Sequence, residues 1–166
     1  MPPKPLVLPF AVSVALLACA PASAEPSLEL GSTSEGSLAL SIGVDTLIDL
    51  SHIHPALDLR LGTGLLLLPG DDGDDNAAWR LTPALRYALG EWAFVEAGIG
   101  GGLFMETELG NRRLSTAFQF ESRLGIGVRL GQGSELGAST MHYSNAHLGR
   151  PNEGFEVYSM VYRQAL

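Results

Sequence analysis

The sequence predicts an all-β fold, an eight-stranded antiparallel transmembrane β-barrel, on three observations. From Ser27 onward, apolar residues alternate with small or polar ones at period two. The alternation falls into eight segments of about ten residues separated by turn residues, the pattern of a small membrane barrel. No segment beyond the N-terminal leader approaches the roughly 20 apolar residues of a spanning helix; no uninterrupted apolar run there exceeds four residues, as at 65–68.

The leader comes first. Lys4 is the only charge in the first two dozen residues, and residues 6–20 are nearly all apolar. Pro21-Ala22-Ser23-Ala24 then offers an A-x-A cleavage site before Glu25, so a signal peptide over 1–24 and a barrel domain over 25–166 are expected. Leu16-Leu17-Ala18-Cys19 is similar to a lipoprotein processing box, which leaves lipidation of Cys19 as the other route. Cys19 is the only cysteine, so the exported domain has no disulfide and depends on a core or a bilayer for stability.

The patterned segments follow. A weak one lies near residues 28–32 and a second over 38–44. The third sets Leu57, Leu59, Leu61, Thr63 and Leu65 against Asp58, Arg60, Gly62 and Gly64. The fourth sets Leu81, Pro83, Leu85, Tyr87 and Leu89 against Arg80, Thr82, Ala84 and Arg86. The fifth spans 94–100, and the sixth is the cleanest, with Phe118, Phe120, Ser122, Leu124, Ile126 and Val128 on one parity. The last two cover 136–144 and 155–162.

One face of these segments carries Phe, Leu, Ile and Val. The other carries Gly, Ala, Thr and opposite charges such as Glu121 with Arg123 and Asp58 with Arg60. An eight-stranded barrel has room inside only for side chains that fill it. The small and charged face is therefore expected inside and the apolar face against lipid, in preference to a lipocalin-like soluble barrel. The 20 glycines suit a tightly curved sheet. Both chain ends then lie on the periplasmic side, with tight turns at Gly90-Glu91 and Gly131-Gln132-Gly133 and outer loops at 69–76, 106–113 and 145–153. The net charge of −8 argues against nucleic acid as a partner.

His142-Tyr143-Ser144-Asn145, with Glu156 on the next segment, is the pattern that carries chemistry. Residues two apart on a strand share a face, so His142 and Ser144 stand side by side. A carboxylate on the adjacent antiparallel strand can orient the imidazole. These are the base, nucleophile and orienting acid of an ester hydrolase. An H-x-S pair alone is weak evidence, because a His and a Ser at that spacing are more often unrelated surface polar groups. Parity puts His142 and Ser144 with Leu136 and Ala138, and Glu156 with Tyr158, Met160 and Tyr162. All three are therefore expected on the lipid face, near the outer rim.

The block H-Y-S-N-A-H-L-G-R-P-N-E-G-F-E-V-Y-S, residues 142–159, closely resembles the C-terminal block of the lipid A 3-O-deacylases (PagL type). The similarity extends to F-V-E-A-G-I-G at 94–100 and F-E-S-R-L-G-I-G at 120–127, while the first four segments match in pattern only. The resemblance implies an outer-membrane barrel with its site near the outer leaflet. Its substrate would be the ester-linked acyl chain at position 3 of lipid A, and no cofactor or metal is implied. It also implies Ser144 as nucleophile, His142 as general base and Glu156 as orienting acid. Oxyanion donors are expected among Asn145, the backbone after Ser144 at Ala146, and Asn152, which as a turn residue beside Pro151 has an equally simple structural reading. The chain departs from the family in having His147 where glycine is frequent, and in ending on Leu166 in place of an aromatic residue.

Other features read blandly. Asp71, Asp72, Asp74 and Asp75 lack the spacing and closing glutamate of a calcium loop. His52 and His54 fall at a periplasmic turn without further zinc ligands. Trp79, Trp92 and the tyrosines suit interfacial anchors. A non-enzymatic barrel of structural or adhesive role, an esterase acting on phospholipid, and a homodimer remain open at the level of sequence.

Overall fold

The computed structural model describes residues 24–70 and 75–166. Eight long strands close into one antiparallel barrel: β1 (Ala24–Thr33), β2 (Leu38–Asp49), β3 (Leu57–Leu68), β4 (Asn76–Ala88), β5 (Ala93–Phe104), β8 (Phe118–Gly131), β9 (Ser134–Ser144) and β10 (Phe155–Gln164). Two short strands, β6 (Glu108–Leu109) and β7 (Arg112–Arg113), pair as a hairpin in the loop between β5 and β8. Each barrel strand pairs with its neighbour in sequence, and β1 closes the ring on β10 from Ser27↔Arg163 to Thr33↔Val157. Strands of 10 to 14 residues meet the roughly 9–11 that a tilted membrane crossing requires. The described residues contain no helix. The expected signal peptide lies outside the described residues except for Ala24, which begins β1.

All eight expected segments are strands, and their parity holds. Leu81, Leu85 and Tyr87 of β4 and Leu124 and Ile126 of β8 are exposed on the outer wall. Between them in sequence, Arg80, Arg86, Glu121 and Arg123 are buried in the lumen. A buried charge is tolerated only when paired and hydrogen-bonded, and here the pairs form a network. Arg86 donates to Glu96 and, through two nitrogens, to Glu135, each at 2.8 Å. Arg163 bridges Asp45 at 3.0 Å and Glu96 at 3.2 Å, and Arg80 and Arg123 share Glu29.

The pairing differs from the expected neighbours along one strand. Glu121 accepts from Thr82 and from the Tyr143 hydroxyl, while Arg123 turns to Glu29. Arg60 reaches Asp45 and Glu96, with Asp58 outside the network. Residues i and i+2 on a strand point the same way into a narrow lumen, so their charges find partners on other staves.

A second difference lies at the loop end. The lumen there is apolar, filled by Leu66, Leu68, Phe104, Tyr143 and Phe155 and closed by Leu109 and Leu114 of the 105–117 loop. Phe104, Tyr143 and Phe155 meet ring to ring at 5.2–5.7 Å. The expectation that Phe belongs to the lipid face thus fails at these positions. The charge network fills the middle of the barrel, and an aromatic plug seals the end that carries the long loops. The tight turns fall as expected, Gly90 and Gly131 at φ +84° and +91°, conformations that glycine adopts without steric cost.

Candidate active site

Strand register assembles the site. His142 on β9 lies directly opposite Glu156 on β10 and Ser122 on β8. Its Nδ1 is 3.0 Å from Glu156 Oε1. That contact takes Nδ1–H as the donor to the carboxylate and leaves Nε2 as the basic nitrogen. Ser144, the last residue of β9, is half-buried and on the same outward parity two positions along, a strand rise of about 6.6 Å. No hydrogen bond joins its hydroxyl to His142. Proton-transfer contacts are often long before substrate binds and tighten in the complex. The His142 and Glu156 side chains are 48% and 37% exposed, so the pair stands on the outer wall at the loop end, in contact with its surroundings.

The loop after Ser144 is pinned by Asn145, which is fully buried. Its Nδ2 donates to the Leu114 carbonyl at 2.9 Å and its backbone N–H to Asn152 Oδ1 at 2.9 Å, while its Oδ1 accepts from His147 N–H at 2.8 Å. These contacts spend both donors expected of Asn145 for an oxyanion. Asn145 is therefore the pivot of the loop, and the expected donor role does not fit its geometry. Its burial beneath the loop, on the parity opposite Ser144, is the reason. Asn152 is held through its oxygen, which leaves its Nδ2 with no hydrogen-bond partner among the described residues. Ala146 N–H is likewise uncommitted among the described residues. Ala146 and His147 both adopt the left-handed backbone, at φ +51° and +67°. A glycine at position 147 meets no steric penalty there, whereas the His147 Cβ does.

Sequence reasoning missed the residues that brace the pair from other loops. Ser34, in the β1–β2 turn, donates its N–H to the Glu156 carbonyl at 2.8 Å, and its Oγ accepts from Glu156 N–H at 3.2 Å. Arg112 of the β6–β7 hairpin holds the Gly154 carbonyl and the Glu35 carboxylate. Only tertiary contact reveals these partners. The Asp71, Asp72 and Asp74 run lies outside the described residues, and Asp75 accepts from Gly70 N–H at 3.1 Å within its own loop. His54 accepts from Ala56 N–H at 3.1 Å and sits beside the Tyr87 ring, a turn-forming role remote from the site.

Below His142 the outer wall forms a shallow, largely apolar trough of about 700 Å³. Leu59, Leu85, Ile99, Ser122, Leu124 and Thr140 line it, with His142 on its rim. Small outward residues between protruding Leu and Ile side chains make the depression.

The chain is similar to known proteins along most of its length. The family model for lipid A 3-O-deacylase (PagL) matches residues 58–164. A lipid A deacylase of Pseudomonas aeruginosa is 31% identical over 167 aligned residues, covering 95% of this chain and 96% of that protein. One from Bordetella bronchiseptica is 29% identical, covering 96% and 94%. A crystal structure of the outer-membrane enzyme PagL superposes with a TM-score of 0.76 at 26% identity, over 86% of this chain and 99% of that one.

Proposed function

Since the chain belongs to the lipid A 3-O-deacylase (PagL) family, an outer-membrane barrel enzyme family, we propose that it hydrolyses the ester of the 3-hydroxyacyl chain at position 3 of lipid A, with Ser144 as nucleophile. The observation that carries this reading is the His142–Glu156 hydrogen bond beside Ser144, on the wall that faces lipid and at the end that faces the outer leaflet. Its substrate is itself a component of that leaflet. An ester approaching sideways from the membrane meets the serine without entering the plugged lumen, and the trough below His142 is where its acyl chain lies.

His142 Nε2 takes the Ser144 proton as the hydroxyl oxygen attacks the ester carbonyl, and Glu156 stabilises the imidazolium that forms. Ala146 N–H and Asn152 Nδ2 are the donors for the tetrahedral oxyanion. Collapse breaks the bond to the sugar oxygen, which leaves as the 3-hydroxyl with the imidazolium proton. Water then adds to the acyl–Ser144 ester through the same base, releasing the 3-hydroxy fatty acid and restoring the serine. Every group in the scheme comes from one chain, so a second copy is not required.

Incubating the purified protein with lipopolysaccharide and measuring lipid A by mass spectrometry tests the assignment. Loss of one 3-hydroxyacyl group is the expected result. An unchanged lipid A mass across detergent and pH refutes it, and hydrolysis of phospholipid in its place moves the substrate to a different lipid.

A further inference from the structure

We propose that Arg112 is a positioning residue for the reaction assigned above, on which this inference rests. Acting from the β6–β7 hairpin, it fixes the Gly154 backbone on which the His142 imidazole leans. Gly154 packs directly against the ring: a Cβ built at this position lies 2.9 Å from His142 Cε1, 3.3 Å from Nε2 and 2.7 Å from the Tyr143 carbonyl oxygen. A shift of Gly154 therefore moves either the imidazole or the last turn of β9.

Gly154 lies outside the strand ladder, between the end of the outer loop and Phe155, the first residue of β10. The contact that holds its carbonyl comes from Arg112. The same guanidinium pairs with Glu35, its Nε at 2.7 Å and Nη2 at 2.5 Å from Oε1. Glu35 adjoins Ser34, which bonds both backbone groups of Glu156. One side chain thus ties together three outer loops, and the His142–Glu156 pair lies between two of its anchor points. Arg112 forms no hydrogen bond or ion pair with His142 or Ser144 and does not line the trough, so its influence passes through the backbone and through its charge on the Glu156 carboxylate. A displacement of about 1 Å at a base or nucleophile is enough to cost on the order of 100-fold in rate.

The experiment uses the full protein in detergent, with Arg112→Ala and Arg112→Lys made alone and in a Glu156→Ala background. Arg112→Ala is expected to lower kcat roughly 10- to 100-fold with KM within about twofold, and Arg112→Lys to recover part of the loss through one retained donor. In the Glu156→Ala background, where the imidazole is already unanchored, the further loss is expected to be under about threefold. The ¹⁵N resonances of His142 report the Nδ1 hydrogen bond without any substrate and should shift in Arg112→Ala. An equal penalty in both backgrounds, a raised KM with unchanged kcat, or unaltered His142 resonances overturns the proposal. If lipopolysaccharide is not a substrate, the assigned function fails, while the resonances still decide the role of Arg112. Should Arg112→Ala not fold, Gly154→Ala takes its place: the added methyl is expected to displace the ring and shift the same resonances, and an unmoved ring overturns the proposal equally.

Discussion

Glu156→Ala is expected to cost far less than removal of the orienting carboxylate in a buried triad, and the structure sets the amount. In a water-excluded site, loss of correct orientation at that position costs about 10⁴ in kcat. Here the imidazole is 48% exposed and the carboxylate 37%, so water can take the place of Glu156 at Nδ1. The hydrogen bond at stake is charge-assisted, worth about 1.5–3 kcal/mol, and exposure holds it to the lower half of that range, a loss of roughly 10- to 50-fold. Glu156→Gln is milder still. The Ser34 hydroxyl beside the carboxylate can accept from an amide as well as donate to an oxygen, so the amide is free to turn its oxygen toward Nδ1–H and keep the base in its working tautomer. Only the charge is then lost, a cost of about 1 kcal/mol for an exposed pair. Steady-state hydrolysis of lipopolysaccharide in mixed micelles, with wild type, Glu156→Gln and Glu156→Ala compared from pH 5 to 9, gives all three values. A Glu156→Ala enzyme as inactive as one lacking the serine refutes the exposure argument, and so does Glu156→Gln falling below Glu156→Ala.

Ser144→Ala and His142→Ala are each expected to abolish deacylation while leaving heat-modifiable gel migration intact, and the double variant to be no worse than either, because the two act as one unit; a well-folded Ser144→Ala that retains activity removes the serine mechanism. Asn152→Ala should lower kcat about 100-fold with little change in KM if its amide meets the oxyanion, measured in the same micellar assay. His147→Gly should stabilise the barrel by up to about 1 kcal/mol in urea unfolding, because it relieves a left-handed backbone that a Cβ disfavours. In the lumen, Arg86→Met removes the hydrogen bonds to Glu96 and Glu135 and leaves Glu135 only the longer contacts of Arg129 and Arg163; it should cost about 3–5 kcal/mol by the same titration, with Arg86→Met/Glu135→Met recovering part of it.

Period two made the strands legible, since any residue that faces lipid in a barrel must recur at alternate positions, as Leu124, Ile126 and Leu136 do. The aromatic plug was not legible. Phe104 and Phe155 have the same composition signal as the lipid-facing Phe118 and Phe120, and only their parity with Gly102 and Val157 separates them. Ion-pair partners were illegible for a related reason: β-strand neighbours i and i+2 suggest a pair, while the ring of eight strands offers each arginine closer carboxylates across the lumen. The turn glycines could be read because their sequences are short and flanked on both sides by clean alternation.

The site divides along the same line. His142, Ser144 and Glu156 were legible together because strand parity and antiparallel register convert sequence spacing directly into adjacency: His142 and Ser144 by two steps along β9, and Glu156 by one step across the ladder. Nothing comparable governs the loop that follows. Asn145 follows Ser144 immediately and yet faces the opposite way, because one step along the chain inverts the side chain; its amide ends on Leu114, 31 residues away. The alternation that brings the base and nucleophile together therefore excludes the next residue as an oxyanion donor. In the proposed mechanism that task falls to groups beyond the strand: Ala146 N–H, where the backbone has turned left-handed, and Asn152, which the same Asn145 holds by its oxygen with its amide free. On this reasoning the donors depend on the fold of residues 145–152, and the His142–Glu156 pair on β9, β10 and the Gly154 backbone that Arg112 holds. Asn145→Ala, which loosens the loop at its pivot and leaves Arg112 and Gly154 untouched, should accordingly lose kcat while the His142–Glu156 hydrogen bond, read by ¹⁵N resonances, stays in place, and concurrent loss of both contradicts the separation.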